Sequence, residues 1–384
     1  MRTVLHCDMN NYFASVETVD YPGLAGVPMA VCGDPVKRHG IVLAKNELAK
    51  MYGVTTGEPM NSAVRKCPGL VTVPPHYQKY QAYSKMARSI FSRYSGQVYP
   101  FGMDEAWIVL PEGTSQKAGA FVADELRNTI KRELRITASV GVSYNFVFSK
   151  LASDMKKPDA TIHLPPQSLE DIIWKLPVSD LLFVGKVTNR TLGQLGIRTI
   201  GDIARQDRAF MRRVLGKNGE MLWCFANGDD SSFDPSAERD FEAKSIGNSV
   251  TPARDICTHT DASAFLWVLS GAVSERIRRY GLKAGCVSIN VRTEDFLKYS
   301  RQCTLRRPTD DRCVIFSFAE ELLRFNHKWT KGIRSIGVRL DRLVGTDGEQ
   351  LPLFPDEYPV PEIAETAVGI YKRYGNAVIE REEA

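Results

Sequence analysis

At 384 residues the chain exceeds the roughly 100 to 200 residues that one hydrophobic core usually serves, which argues against a single compact domain. Its 43% hydrophobic and 25% charged residues are ordinary for a globular protein, and no apolar run reaches the roughly 18 residues needed to span a bilayer. A net charge of +5 permits a polyanionic partner without requiring one, and eight cysteines without a CxxC pair argue against a zinc site or a disulfide framework. The start, MRTVLHCDMNNYF, lacks the charged-then-apolar order of a signal peptide, so a cytoplasmic protein with no membrane partner is expected.

Residues 3–9 form a short apolar run ending in a carboxylate, and residues 11–19 then place Tyr12, Phe13 and Val16 at helical spacing. This predicts strand, then helix, with Asp8 at the junction. Residues 28–32 and 41–44 read as strands around the polar loop 33–40, and a helix over 45–52 stops at Gly53. A long helix is predicted over 76–94. Residues 97–101 and 105–110 follow as strands joined through Gly102, Met103 and Asp104, then a helix over 118–133 and a strand over 135–143. The order strand, helix, hairpin, helix, strand suits a ferredoxin-like split βαβ core with an insertion after the first helix.

Residues 168–227 change in texture to short helices punctuated by Gly185, Gly193, Gly196, Gly201 and Gly216, which predicts a small helical domain. The polar stretch 228–243 is the best linker candidate, with the linker proper set at 231–243. Beyond it, strand-like segments at 244–251, 286–292, 300–305 and 333–340 and helix-like ones at 262–280 and 313–325 make a second α+β domain. Charge is uneven here: residues 243–343 carry 18 Lys and Arg against 10 Asp and Glu, whereas residues 344–384 carry 9 acids against 3 bases. A basic domain thus precedes an acidic tail.

Two-metal nucleotidyl transfer needs a few anionic oxygens on one point, and a carboxylate ending one strand with a pair in a neighbouring hairpin supplies them. On spacing alone, however, Asp8, Asp104 and Glu105 read as caps and solvated turn residues. The flanking sequence adds the missing specificity. HCDMNNYFASVE (residues 6–17) with FGMDEAW (101–107) resembles the paired catalytic motifs of the Y-family DNA polymerases, the lesion-bypass class. The resemblance continues through HGIVLAKNELAKMYGV (39–54), FSKLASDMKKPDAT (148–161), LPVSDLLFVGK (176–186) and IRSIGVRL (333–340), in family order over residues 1 to about 345.

The resemblance implies a multidomain right-hand α+β polymerase: a ferredoxin-like palm over 1–167 with fingers inserted at about 20–75, a helix-hairpin-helix thumb over 168–230, a little finger over 244–345 and a tail over 346–384. It implies low-fidelity, template-directed translesion synthesis without proofreading. It places Asp8, Asp104 and Glu105, with the Met9 carbonyl, on two magnesium ions. Tyr12, Phe13, Lys50 and Lys157 fall on the nucleotide, Phe13 as the aromatic steric gate that excludes a ribose 2′-hydroxyl. Gly185 and Lys186 fall on the DNA backbone, and Gln350, Leu351, Leu353 and Phe354 resemble the peptide that docks on the bacterial sliding clamp. The implied partners are primer-template DNA, deoxynucleoside triphosphates and that clamp, with a monomeric chain.

Four positions depart from the family pattern. Lys50 replaces a frequent arginine, losing its bidentate fork; Glu47 stands where a tyrosine contacts the triphosphate; Asn10 replaces a second acid; Val109 replaces an aspartate. Glu47 is expected to repel the nucleotide unless it turns away or pairs with Lys45 or Lys50. Two rival readings are weighed: an inactive adaptor that binds DNA and the clamp, which the complete triad disfavours, and a palm-type nucleotide cyclase, which has no use for the thumb, basic domain or clamp peptide.

Overall fold

The computed structural model describes residues 2–36, 38, 40–236 and 243–345. They fall into two compact units, residues 2–33 with 41–236 and residues 34–36, 38 and 40 with 243–345. The tail, including the expected clamp peptide, lies outside the described residues.

In the first unit, β1 (Val4–Met9) leads into α1 (Tyr12–Asp20). A small insertion follows: β2 (Met29–Cys32), β3 (Val42–Lys45), α2 (Glu47–Met51), α3 (Met60–Lys66) and β4 (Val71–Val73). Then come α4 (Tyr77–Phe91), β5 (Gln97–Phe101), β6 (Glu105–Val109), α5 (Gln116–Leu134), β7 (Ala138–Ser143), α6 (Phe146–Met155) and β8 (Thr161–Leu164). The main sheet has the order β5-β6-β1-β7-β8, antiparallel except for the β7–β8 pair, so its first four strands follow ferredoxin-like topology.

Alternation along β1 decides which side each residue serves. Leu5, Cys7 and Met9 join Ala106, Ile108, Val140 and Val142 in one core beneath α4 and α5. Val4, His6 and Asp8 therefore face the other way, where Val4 packs with Trp107 and Phe146. α6 lies close on this side because residue 141 is glycine: a Cβ there would meet the Ser149 carbonyl oxygen at 2.0 Å and the Ser153 nitrogen at 2.4 Å. The insertion forms its own sheet, β3-β2-β4. Asn46 fastens it, accepting from the Ala49 and Met29 amides and donating to the Val27 carbonyl.

Five helices complete the unit: α7 (Ser168–Asp171), α8 (Lys186–Gln194), α9 (Ile200–Ala204), α10 (Arg208–Leu215) and α11 (Lys217–Ala226). Their apolar faces, among them Leu192, Ile203, Met211, Leu222 and Phe225, share a core with Val147, Phe148 and Leu151 of α6. The start of the expected linker belongs to this unit: Asp230 accepts from the Phe146 amide at 2.8 Å and pairs with Arg2, and Phe233 packs on Trp107, Phe146, Phe183 and Phe225.

The second unit contains β9 (Ser245–Val250), α12 (His259–Arg279), β10 (Leu282–Thr293), β11 (Lys298–Thr309), α13 (Arg312–Asn326) and β12 (Ile333–Gly345). Its antiparallel sheet has the order β11-β10-β12-β9. Val287, Ile289 and Val291 form a core with Leu266 and Leu269 of α12 and Phe316 and Leu323 of α13. The alternate residues Ser288 and Asn290 line a groove on the opposite face with Gln302, Arg339, Asp341 and Arg342. One sheet thus has an apolar covered face and a polar, basic one.

Three local differences from the sequence reading have physical causes. Arg135 ends α5 in the left-handed region (φ 59°), so the strand starts at Ala138 and not at residue 135. β4 and β8 are edge strands of three and four residues, too short to show a period. β10 and β11 each reach 12 residues, because ladder pairing continues through polar residues that show no alternation.

Candidate active site

Strand register sets two of the three predicted carboxylates opposite each other and leaves the third in the adjoining turn. Asp8 pairs directly with Glu105 across β1 and β6, and the Met9 amide donates to the Asp104 carbonyl at 2.9 Å. Asp104 sits in the hairpin turn, where Gly102 takes the positive φ (78°) that a side chain disfavours.

Two lysines stand among these acids. Lys150 Nζ donates to Glu105 Oε2 at 2.5 Å and to Asp8 Oδ2 at 3.3 Å, and Lys157 Nζ donates to Asp8 Oδ2 at 2.8 Å. Asp154 completes the ring, 3.3 Å from Lys150 and 2.8 Å from Lys157. His6, fully buried, contacts Ser153 Oγ through Nδ1 at 2.8 Å and lies 3.3 Å from Glu105 Oε2 through Nε2.

The electrostatics follow from this geometry. Burial, then the neighbouring charges of Asp8 and Glu105, push Asp104 up to about 6. Glu105 goes the other way: burial opposes ionisation, but His6 and Lys150 outweigh it and hold the carboxylate well below its usual range. Lys150 is held above its ordinary value by Glu105, Asp8 and Asp154 against the cost of burial. Burial lowers His6, outweighing its carboxylate neighbours and keeping the ring neutral.

Among the described residues, no three His, Cys, Asp or Glu side chains are gathered closely enough to hold a metal ion, and the oxygens of Asp8 and Glu105 that face Lys150 are already engaged by its ammonium. The donors nevertheless suit a hard divalent cation. They are carboxylate oxygens, two already facing cations, and the third is raised by burial and then by the like charges around it.

The other predicted nucleotide residues are each held by contacts of their own. Phe13 stacks on Tyr80, with ring centroids 4.1 Å apart and planes 11° from parallel, and meets Tyr77 edge-on at 5.9 Å. Tyr80 is itself fixed, its hydroxyl donating to the buried Glu17 at 2.5 Å. Tyr12 is buried with its hydroxyl donating to the Tyr80 carbonyl at 2.5 Å, so its phenol is committed to the core. Asn10 is also committed, donating to Ser139 Oγ and accepting from the Asp159 amide. Lys50 lies on α2, 3.5 Å from Glu47, whose other oxygen accepts from Asn11 Nδ2 at 3.0 Å. The carboxylate therefore does pair with Lys50, as one branch of the sequence reading required.

Gly185 caps α8 in extended conformation with open space where a Cβ would lie, and Lys186 beside it is exposed. Sequence reasoning assigned no role to Lys150, Asp154, His6 or Tyr80. The available signal was Lys150, Asp154 and Lys157, alternating charges spaced four and three apart, of which Lys150 and Asp154 share one face of α6 and Lys157 follows just beyond its end.

The chain as a whole is similar to known proteins. The impB/mucB/samB family model matches residues 7–154 and that family's C-terminal domain matches residues 243–353. A protein of Acetivibrio thermocellus named DNA polymerase IV is 45% identical over 360 residues, covering 93% of this chain and 90% of that one. DNA polymerase IV 1 of Bacillus subtilis is 34% identical over 389 residues, covering 99% and 92%. In fold, the chain is similar to the Y-family DNA polymerase chimera Dbh-Dpo4(243-245)-Dbh, with a TM-score of 0.76 at 22% identity over 89% of this chain and 99% of that one. With both parts of the family model matched and such identity sustained along nearly the whole chain, the protein belongs to the impB/mucB/samB family, the Y family of DNA polymerases.

Proposed function

We propose that the protein is a template-directed DNA polymerase that carries out low-fidelity, translesion synthesis without proofreading. Its substrates are primer-template DNA and deoxynucleoside triphosphates. The observation that carries this reading is the register match of Asp8 with Glu105, Asp104 in the adjoining turn, and two lysines on the same acids. An adaptor without catalysis would have no use for this buried charge cluster.

Asp8, Asp104, Glu105 and the Met9 carbonyl are the groups that would hold divalent magnesium, which when bound supplies activation of the primer hydroxyl and charge relief at the phosphate. Lys150 orients Asp8 and Glu105 and, with His6, keeps Glu105 ionised. Lys157 brings positive charge to the edge of Asp8, suited to charge that develops on the leaving pyrophosphate, and Lys50 offers a second cation from α2. The Phe13 ring, backed by Tyr80, is a wall that rejects a 2′-hydroxyl by volume and needs no polar contact.

The division into palm, fingers, thumb and little finger belongs to the same proposal. The α8 start, at Gly185 and Lys186, and the basic groove of the second unit would contact backbone phosphates, giving affinity that falls with salt and little sequence preference. Gln350, Leu351, Leu353 and Phe354 would dock on a sliding clamp, so truncation after Val344 should abolish clamp stimulation and spare basal extension by a monomer.

Primer extension with and without Asp104→Ala tests the central claim. The variant should lose at least about 10³-fold in single-turnover rate while keeping its fold by circular dichroism. Magnesium-dependent extension that survives the substitution would refute the site.

A further inference from the structure

Asn11 stands at the N-cap of α1, where an asparagine side chain ordinarily accepts a hydrogen bond from the first turn of its own helix. Here it makes no such bond. Its backbone is left-handed (φ 48°, ψ 39°), and its amide instead donates to Glu47 Oε1 at 3.0 Å. The other carboxylate oxygen, Oε2, lies 3.5 Å from Lys50 Nζ on the same short helix. Lys45 is near enough to feel this set: burial and the charge of Lys50 lower its pKa, while Glu47 and Glu58 act against them. A single side chain therefore ties the turn that follows Asp8 and precedes Phe13 to the cation expected to meet the triphosphate.

We propose that Glu47 is a positioning residue with two separable effects on nucleotide choice, one through each oxygen. The Lys50 arm sets affinity. A triphosphate must displace Glu47 from Lys50 before it can use that charge, so the carboxylate competes with the incoming nucleotide. The Asn11 arm sets sugar selectivity. Phe13 is backed by Tyr80, while the turn that delivers it is held by the Asn11 to Glu47 hydrogen bond. Release of that turn lets the ring yield to a ribonucleotide.

This inference rests on the polymerase reading above, and Glu47 is a convenient place to test it because its side chain is 38% exposed, which makes substitutions tolerable to the fold. Steady-state single-nucleotide insertion would be measured for wild type, Glu47→Gln and Glu47→Ala, with a deoxynucleotide and its ribonucleotide counterpart. Glu47→Gln removes the charge but keeps a carbonyl for Asn11, so the deoxynucleotide KM should fall about two- to fivefold with the sugar discrimination ratio unchanged. Glu47→Ala removes both arms, so KM should fall similarly while discrimination drops about three- to tenfold. A KM that is unchanged or raised in Glu47→Gln overturns the affinity arm, and a Glu47→Ala enzyme as selective as Glu47→Gln overturns the sugar arm. A wild type that shows no template-directed extension at all would overturn the polymerase reading itself, and this inference with it.

Discussion

The two ends of the candidate site differ in how deeply their charges are set. At the carboxylate end, Asp8 and Lys150 expose 12% and 15% of their side chains; at the end proposed to meet the triphosphate, Glu47 and Lys50 expose 38% and 52%. Coulomb interactions strengthen as water is excluded, so the first end is a fixed, strongly coupled cluster and the second a screened, adjustable one. Their supports differ accordingly. The carboxylates hang on sheet register and on α6 pressed against Gly141, whereas Lys50 rides on a five-residue helix held by Asn46. The departures at Glu47 and Lys50 thus fall at the screened end, whereas Asn10 departs at the buried one.

The sharpest way to break this contrast is Lys150→Ala. It leaves Asp8 and Glu105 facing each other without their shared cation, so single-turnover extension should fall about 10²-fold or more. Thermal unfolding without metal should fall as well, and added magnesium should raise the variant's Tm more than the wild type's; an equal shift would show that Lys150 does not neutralise the acids. Tyr80→Phe is next in size. It strips a hydrogen bond from Glu17, which is only 1% exposed, and should cost about 1 to 3 kcal/mol by denaturant titration.

Lys50→Arg should act more gently at the screened end, lowering the deoxynucleotide KM about two- to threefold because a guanidinium grips phosphate with two donors. No change in KM would place Lys50 outside the triphosphate contact. The smallest effect expected is a pH limb in the insertion. Lys66, with the Thr55 amide, holds Glu58 down to about 2. A carboxylate with a depressed folded pKa contributes stability above its unfolded value near 4.3, and that contribution is lost as pH falls towards the folded one. Lys66→Ala should therefore lower Tm at pH 6 and converge with wild type near pH 2; curves that run parallel would dismiss the pair as a contributor.

Much of this was legible in the chain. Apolar runs and helical spacing located β1, α1, α4, α5 and the hairpin within a few residues, because burial imposes period on side chains. Departures appeared where no period exists, at the three-residue β4 and the four-residue β8, or where a polar stretch packs through a few residues, as Asp230 and Phe233 do. Lys150 was inside a quoted motif yet without a role, since nothing in a linear reading says which face of α6 meets β1.

The sequence by itself determined the family, the identities of Asp8, Asp104 and Glu105, and the two positions at the triphosphate end that depart from pattern. Those are matters of residue type and order. Only the tertiary structure decided that Lys150 bridges two of the acids, that Phe13 is backed by Tyr80, and that Glu47 divides its oxygens between Asn11 and Lys50. Each joins residues dozens to more than a hundred positions apart or chooses among rotamers, and such pairings are fixed by register and packing, which a string of residues does not display.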